Sequence, residues 1–172
     1  MRSKKKILRF FLFIGLLILL FATWYKYEYS MDKAKEFQVN ATEYSRKLVI
    51  ATQGSEFKNT VVNQIVNHFK KDSIFIKVVD ISRLPDINPD NYTAIVLIHT
   101  WENFKPPTEI EEFINRTNAQ QNKMIVFTTS GQGSHKMEGV DAITGASKME
   151  DTLSYVNRII ERVNILMKHR TL

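Results

Sequence analysis

The chain contains no cysteine, which rules out several classes of protein at once. Disulfide bonds, thiolate metal sites, cysteine nucleophiles and an acylated lipoprotein anchor each need a sulfur atom that is absent. The stability of any folded part must therefore come from packing. With 172 residues, of which 44% are hydrophobic, the chain is long enough for one compact domain with appendages and too short for two sizeable ones.

Most of the chain also lacks an excess of basic residues. The formal net charge is +6, but five of the 24 basic residues lie within the first nine positions, and the remaining 19 face 18 acidic residues. A nucleic-acid-binding protein needs a basic face on its folded domain, because it must displace counterions from phosphates. No such face is predicted, so we do not expect nucleic acid as a partner.

Residues 10–25 form one uncharged run, FFLFIGLLILLFATWY. If Arg9 snorkels, the apolar stretch covers residues 7–25 and reaches about 28 Å as a helix, close to the thickness of a hydrocarbon core. A basic tail, residues 1–9, precedes it, and four aromatic residues follow from Trp24 to Tyr29. This pattern predicts a transmembrane signal anchor in the cell membrane, with a cytoplasmic N-terminus and an extracytoplasmic remainder.

A cleaved signal peptide is the alternative interpretation of the same segment. Cleavage needs small residues at two positions before the cut, yet the nearby small residues Ala22 and Thr23 are flanked by Phe21 and Trp24. The retained anchor is therefore favoured. Residues 26–46 are polar, contain neither glycine nor proline, and are predicted to form a stalk that continues helically.

Residues 47–168 alternate between apolar β-branched runs and helical stripes, as in an α/β domain. Strands are predicted at 47–52, 73–81, 93–98 and 124–129, and helices at 61–69, from Thr108 and at 149–167. Two prolines between the second and third strands leave room for one turn at most. Because right-handed crossovers place helices on both faces of a parallel sheet, the pattern predicts a three-layer, doubly wound α/β fold.

Two helix details follow from residue spacing. Thr108 is expected to cap the middle helix with Glu111 reaching back. The closing helix is expected to bury one stripe of apolar side chains, namely Met149, Leu153, Val156, Ile160, Val163 and Met167. Ligands of doubly wound sheets bind at the carboxyl ends of the strands, which directs attention to residues 53–60, 99–107 and 130–147.

Residues 55–60, SEFKNT, resemble the S-x-T-G-N-T phosphate loop of the flavodoxin-like family, and the resemblance extends over residues 47–166. In that family the hydroxyls, an amide and main-chain N–H groups surround the FMN phosphate at a helix N-terminus. The resemblance implies that Ser55, Lys58, Asn59 and Thr60 bind phosphate. Phe57 and Lys58 stand where the family has threonine and glycine.

Two further loops match the parts of the family that surround the flavin ring. Trp101 follows the third strand, where an aromatic side chain stacks on the ring, although a loop aromatic that covers the sheet edge is an equal alternative. Ser130, Gly131 and Gly133 follow the fourth strand, where glycines permit close approach of the main chain. The resemblance implies FMN as the cofactor and electron transfer as the function.

Residues 141–147, DAITGAS, are similar to the D-x-x-[ST]-G-A-[ST] pattern of membrane-anchored proteins that carry FMN through a phosphoester. That resemblance implies that Ser147 bears the flavin. The alternative is a capping box, in which Ser147 starts the closing helix and Glu150 reaches back.

Three hypotheses about function remain at this point. The first is a membrane-anchored flavodoxin-like domain that binds FMN outside the cytoplasm and exchanges electrons with a redox protein of the same membrane. The second keeps the fold but not the cofactor and makes the domain an interaction or assembly module. The third is covalent flavinylation at Ser147. The four histidines show no metal-ligand spacing, so no metal site is predicted.

Overall fold

The structure is a computed structural model that describes residues 2–29, 31–102 and 104–168. The chain divides into two compact units, Met1–Met31 and Asp32–Leu172. The first unit contains a single helix, α1, Arg2–Tyr29. Its segment Lys4–Trp24 is long and apolar enough to cross a membrane.

The second unit is built on one six-stranded sheet with the order β1-β3-β2-β4-β5-β6. Neighbouring strands pair in parallel, except that β1 pairs antiparallel with β3. The strands are β1, Phe37–Val39; β2, Arg46–Thr52; β3, Ile74–Asp80; β4, Ala94–Thr100; β5, Met124–Thr129; and β6, Ala142–Gly145. The four predicted strands are confirmed as β2 to β5, whereas β1 and β6 were not predicted.

The five parallel strands, taken alone, follow the flavodoxin-like order 2-1-3-4-5. The connection from β2 leads to one side of the sheet and the connection from β4 leads to the other. The topological switch point of the sheet therefore lies between β2 and β4. The predicted doubly wound α/β fold is confirmed.

Each face of the sheet has its own apolar layer. Helix α2, Glu56–Phe69, and helix α4, Thr152–Lys168, cover one face and bury residues such as Leu48 and Ile50. Helix α3, Thr108–Arg116, and a 3-10 helix, Ile81–Asp86, cover the other face. Adjacent strand residues contribute to opposite faces because side chains alternate along a strand.

The crossovers between strands are unequal. Two short 3-10 helices, Ile81–Asp86 and Pro89–Asn91, replace a full helix between β3 and β4, which is more than the single turn that the prolines predicted. Turns alone connect β5 to β6 over residues 130–141. The α3 side of β5 and β6 is thus covered by a loop, from which Met137 and Val140 pack against the core.

Three local predictions are wrong. The predicted stripe of α4 is buried at Val156, Val163 and Met167, but Met149 and Leu153 are 48% and 64% exposed. Thr152 and Ile159 complete the buried face instead, at helical spacing from the other three. Pro107, not Thr108, occupies the N-cap position of α3 and makes no side-chain cap. Ser147 is not a cap either, since a 3-10 helix, Met149–Asp151, follows Lys148 with no side-chain cap.

Part of the segment predicted as a stalk contributes to the domain. The Ala34 N–H donates to Asp80 Oδ2 at 2.7 Å, and β1 then adds to the edge of the sheet beside β3. Phe37 and Val39 pack against the apolar layer beneath α2 and α4. These apolar side chains, spaced two residues apart, explain why a mostly polar segment forms a strand.

Candidate functional site

The candidate site lies at the carboxyl edge of the sheet, where β2, β4 and β5 end close to the switch point. Three connections meet there: residues 53–55 before α2, residues 101–107 before α3, and residues 130–141 after β5. All predicted site residues belong to these connections or to the chain after β6, except Lys58, Asn59 and Thr60 in α2.

The predicted phosphate ligands do not converge on one point. Ser55 is the N-cap of α2, and its Oγ accepts the Lys58 N–H at 3.2 Å. The Thr60 hydroxyl donates to the Glu56 carbonyl one turn back, at 2.9 Å. Asn59 instead lines a cavity of about 170 Å³ that also involves Ala34 and Phe37.

Phe57, which replaces a family threonine, points into the core rather than toward the carboxyl edge. Its ring packs at 6.2 Å from both Phe127 and Tyr155, and only 5% of it is exposed. It offers no group to a phosphate.

Lys58, which replaces a family glycine, is fully buried. Burial lowers the pKa of its amine to about 8, and the negative charge of Glu102 acts in the opposite direction. Gln53 ties the same region together, because its Nε2 donates to Glu102 Oε1 and its Oε1 accepts the Thr100 N–H, both at 2.8 Å. The buried Lys58 and the Glu102 carboxylate thus both lie in the region where β2 and β4 end.

The main chain of the first loop is covered by the segment that precedes β1. The Gly54 N–H donates to the Asp32 carbonyl at 2.6 Å, and a β-carbon at Gly54 would lie 2.6 Å from the Lys33 carbonyl oxygen. With Gly54 covered and Ser55 engaged, these residues do not fit the FMN phosphate in the manner of the family loop.

The residues predicted to border the ring do lie together. Trp101 stacks on His135, with ring centroids 5.3 Å apart, and His135 Nδ1 lies 3.2 Å from Ser130 Oγ. The Gly133 N–H donates to the Ser130 carbonyl, and the Ser130 N–H donates to the Gly145 carbonyl, both at 3.0 Å. Gly131, between them, is exposed.

Ser147 lies beside this loop. A β-carbon on Gly133 would come within 2.9 Å of the Ala146 nitrogen, and Gly133 has the left-handed φ of +70° that favours glycine. The Ser147 residue itself is exposed. The chain after β6 therefore brings an exposed serine close to the predicted ring loop.

Buried polar atoms without hydrogen-bond partners cluster at the same edge. Among the described residues these atoms are His99 Nδ1 and Nε2, Trp101 Nε1 and Thr128 Oγ1. Native proteins leave few buried polar atoms unpaired. Burial lowers the pKa of His99 to about 4, Lys58 adds to this effect, and the opposing contact with the Thr100 main chain falls short of hydrogen-bond geometry.

Sequence reasoning missed five polar residues of this region: Gln53, His99, Glu102, Thr128 and His135. His99 and Thr128 each break an apolar strand near its carboxyl end, and that interruption was the available signal. The contacts of Gln53, Glu102 and His135 depend on how the loops fold back, which residue spacing does not specify.

No family model matches the chain, and no curated protein matches it. Among solved structures, the Flv1 flavodiiron core from Synechocystis sp. is similar with a TM-score of 0.56 at 12% identity. The match covers 74% of this chain and 38% of that one, so this chain spans well under half of its length.

Smaller proteins are also similar at low identity. A flavodoxin from the domain Archaea matches with 15% identity over 70% of this chain and 98% of its own, at a TM-score of 0.48. Flavodoxin 2 from Bacillus cereus matches with 14% identity over 69% of this chain and 98% of its own, at a TM-score of 0.43. The strand order and the switch point described above are those of a flavodoxin-like fold.

Proposed function

We propose that this chain is a membrane-anchored redox protein that carries FMN on Ser147 outside the cytoplasm. The flavin ring would lie against Trp101 and the loop of Ser130, Gly131 and Gly133. A flavin in that position exchanges one or two electrons with a partner, which would be a redox protein of the same membrane.

The observation that carries this proposal is a contrast within the predicted site between its phosphate end, residues 53–60, and its ring end, Trp101 and residues 130–133. The phosphate loop is closed by Lys58 and by the Asp32 contact with Gly54. At the ring end, in contrast, His99, Trp101 and Thr128 retain unpaired buried polar atoms, and Gly133 of the loop lies against Ala146, which precedes the exposed Ser147. A phosphoester at Ser147 would replace the lost phosphate site, and it would also prevent loss of a dissociated cofactor outside the cell.

Ser147 is suited to modification because its hydroxyl is not needed for the fold. It is exposed and caps no helix. Attachment requires a flavin dinucleotide as donor: Ser147 Oγ forms a bond to the FMN phosphorus, the phosphoanhydride bond breaks, a nucleoside monophosphate leaves with the electron pair, and the hydroxyl proton passes to solvent.

The test is the intact mass of the full chain, purified in detergent from its native membranes. We expect an added mass of one FMN on the wild type and on Ser147→Thr, which keeps a hydroxyl, and none on Ser147→Ala. Because Ser147 is exposed, Ser147→Ala should change the free energy of unfolding by only about 0.5 kcal/mol. An unmodified wild-type chain, or flavin that survives in Ser147→Ala, contradicts the proposal.

The second candidate function is a cofactor-free interaction or assembly module on the same anchor. The buried Lys58 beside Glu102 favours it, because the chain's own side chains then fill the region that a family member uses for phosphate. Titration of the unmodified full chain with FMN and riboflavin separates the two candidates. Absence of binding by both compounds, together with an unmodified native mass, supports the module.

A further inference from the structure

We propose that His99, Thr128 and Trp101 form a recognition site for the imide edge of a planar ring, the O=C–NH–C=O group that a flavin carries. This inference rests on the proposed function and names the part of the ligand with which the chain forms hydrogen bonds. The site would consist of two strand residues and one loop residue.

The first two groups are direct neighbours on the sheet. His99 in β4 and Thr128 in β5 are register partners, one residue before each strand ends. By strand alternation they lie on the same face as Leu97 and Val126, which belong to the layer under α3. Trp101 lies two residues after His99. Its main-chain N–H donates to the Thr129 carbonyl at 2.8 Å, which continues the hydrogen-bond pattern between β4 and β5.

The unpaired atoms of these residues complement an imide in kind. Trp101 Nε1 is a donor, the Thr128 hydroxyl can donate, and a neutral histidine offers one acceptor nitrogen and one further donor. An imide presents two carbonyl acceptors on either side of one N–H donor. A carboxylate would leave the histidine acceptor unpaired, so an imide suits the set better than an anion does.

The histidine must be neutral for this match, and its surroundings keep it so. His99 has 0% exposure, and burial holds its pKa at about 4 with further lowering from Lys58. A protonated His99 would carry N–H donors on both ring nitrogens and could not accept a hydrogen bond from the imide N–H.

The described form is closed, because the four unpaired atoms are sealed from solvent. Unpaired buried polar groups are unfavourable, so the closed form carries a penalty that a bound imide would reduce. Trp101 is itself one of these groups and stacks on His135. Parting of that stack is the movement that would open the site.

The test uses riboflavin, which has the imide but no phosphate and therefore cannot be attached to Ser147. The full chain with Ser147→Ala, which leaves the ring site without an attached flavin, is titrated in detergent with riboflavin and with its N3-methyl derivative, and flavin fluorescence reports binding. We expect riboflavin to bind, and we expect N3-methylation, Thr128→Val and His99→Leu each to weaken binding by about tenfold. Thr93→Val is the matched control, because Thr93 is a buried threonine at the other end of β4, where its hydroxyl accepts the Lys47 N–H.

Melting temperatures of the unliganded variants add a second readout. Removing an unpaired hydroxyl should leave the melting temperature of Thr128→Val unchanged or higher, whereas Thr93→Val should lower it and keep riboflavin affinity. A lower melting temperature for Thr128→Val would mean that the hydroxyl has a partner, such as a buried water, and would overturn the inference.

Two further results would overturn it: equal riboflavin affinity in the Ser147→Ala chain with and without the Thr128 and His99 substitutions, or no riboflavin binding to the Ser147→Ala chain. Either result leaves the Ser147 proposal standing if the native chain carries the mass of FMN. Conversely, an unmodified native chain that binds riboflavin through His99 and Thr128 would contradict attachment at Ser147 and leave the imide site supported.

Discussion

At the scale of single residues, Lys58 has the least ordinary environment in the domain. Its amine is fully buried, and burial lowers its pKa from 10.5 to about 8. Between these two values the unfolded chain holds the proton more tightly than the folded one. The free energy of unfolding should therefore rise as the pH increases from about 8 to 10.5, by on the order of 3 kcal/mol.

Lys58→Met should remove this rise, because the substituted side chain has no proton to release. The measurement compares melting temperatures of the full chain in detergent at pH 8 and pH 10.5. Other titrating groups contribute equally to both proteins, so the difference between the two profiles isolates Lys58. Parallel profiles would show that the amine is solvated.

Gly145 gives a second prediction at this scale. A β-carbon there would lie 2.4 Å from the Tyr155 ring, which is held 4.9 Å from the Phe127 ring. Gly145→Ala should lower the free energy of unfolding by about 1–3 kcal/mol, and less in a Tyr155→Leu background. Gly131→Ala is the control, since nothing lies within 4 Å of its β-carbon position; an equal effect at both glycines would refute the packing argument.

At the scale of elements, strand β1 depends on the residue that follows it. Asn40 has a left-handed φ of 69°, and its Nδ2 reaches the carbonyl oxygens of Lys70, Asp72 and Ile74 at 2.8–3.2 Å. Asn40→Gly keeps the backbone freedom and loses the hydrogen bonds, whereas Asn40→Ala loses both. We expect Asn40→Gly to cost about 1–2 kcal/mol and Asn40→Ala more, by chemical unfolding; the reverse order would show that φ is not constrained.

The residues that helix α4 buries differ in part from those that its sequence predicted. Ile159 is buried and Leu153 is exposed. Ile159→Ala should therefore cost about 2–5 kcal/mol, while Leu153→Ala should stay within about 0.5 kcal/mol. Unfolding midpoints of the two variants decide the matter, and a larger cost at Leu153 would mean that the stripe predicted from spacing is the buried one.

These elements also show how far sequence reasoning reached. Strands β2 to β5 are nearly continuous apolar runs, and the apolar stripe of α2 repeats at helical spacing, so both were predictable from pattern alone. Strand β1 owes its place to pairing with β3, and β6 lies within a segment that was interpreted as a chemical motif. The α4 stripe was misplaced at its N-terminal end, because Met149 lies in a 3-10 turn and the polar Thr152 is buried in place of Leu153.

At the scale of the whole molecule, the doubly wound α/β fold followed from the alternation of strands and helices, but the state of the candidate site did not. The loop 55–60 keeps three residues of the family pattern, yet Lys58 and Phe57 turn inward and the Asp32 segment covers Gly54. Those contacts join parts of the chain that are more than twenty residues apart. Residue spacing within one loop could not indicate them.

The proposed function requires that Ser147, rather than the phosphate loop, holds a flavin at the ring end of the site. The most direct measurement is the visible absorption spectrum of the full chain from native membranes, recorded before and after unfolding and precipitation of the protein. We predict a flavin spectrum that stays with the precipitated wild-type chain and is absent from Ser147→Ala. A colourless chain, or colour that remains in solution while the protein precipitates, would contradict the account.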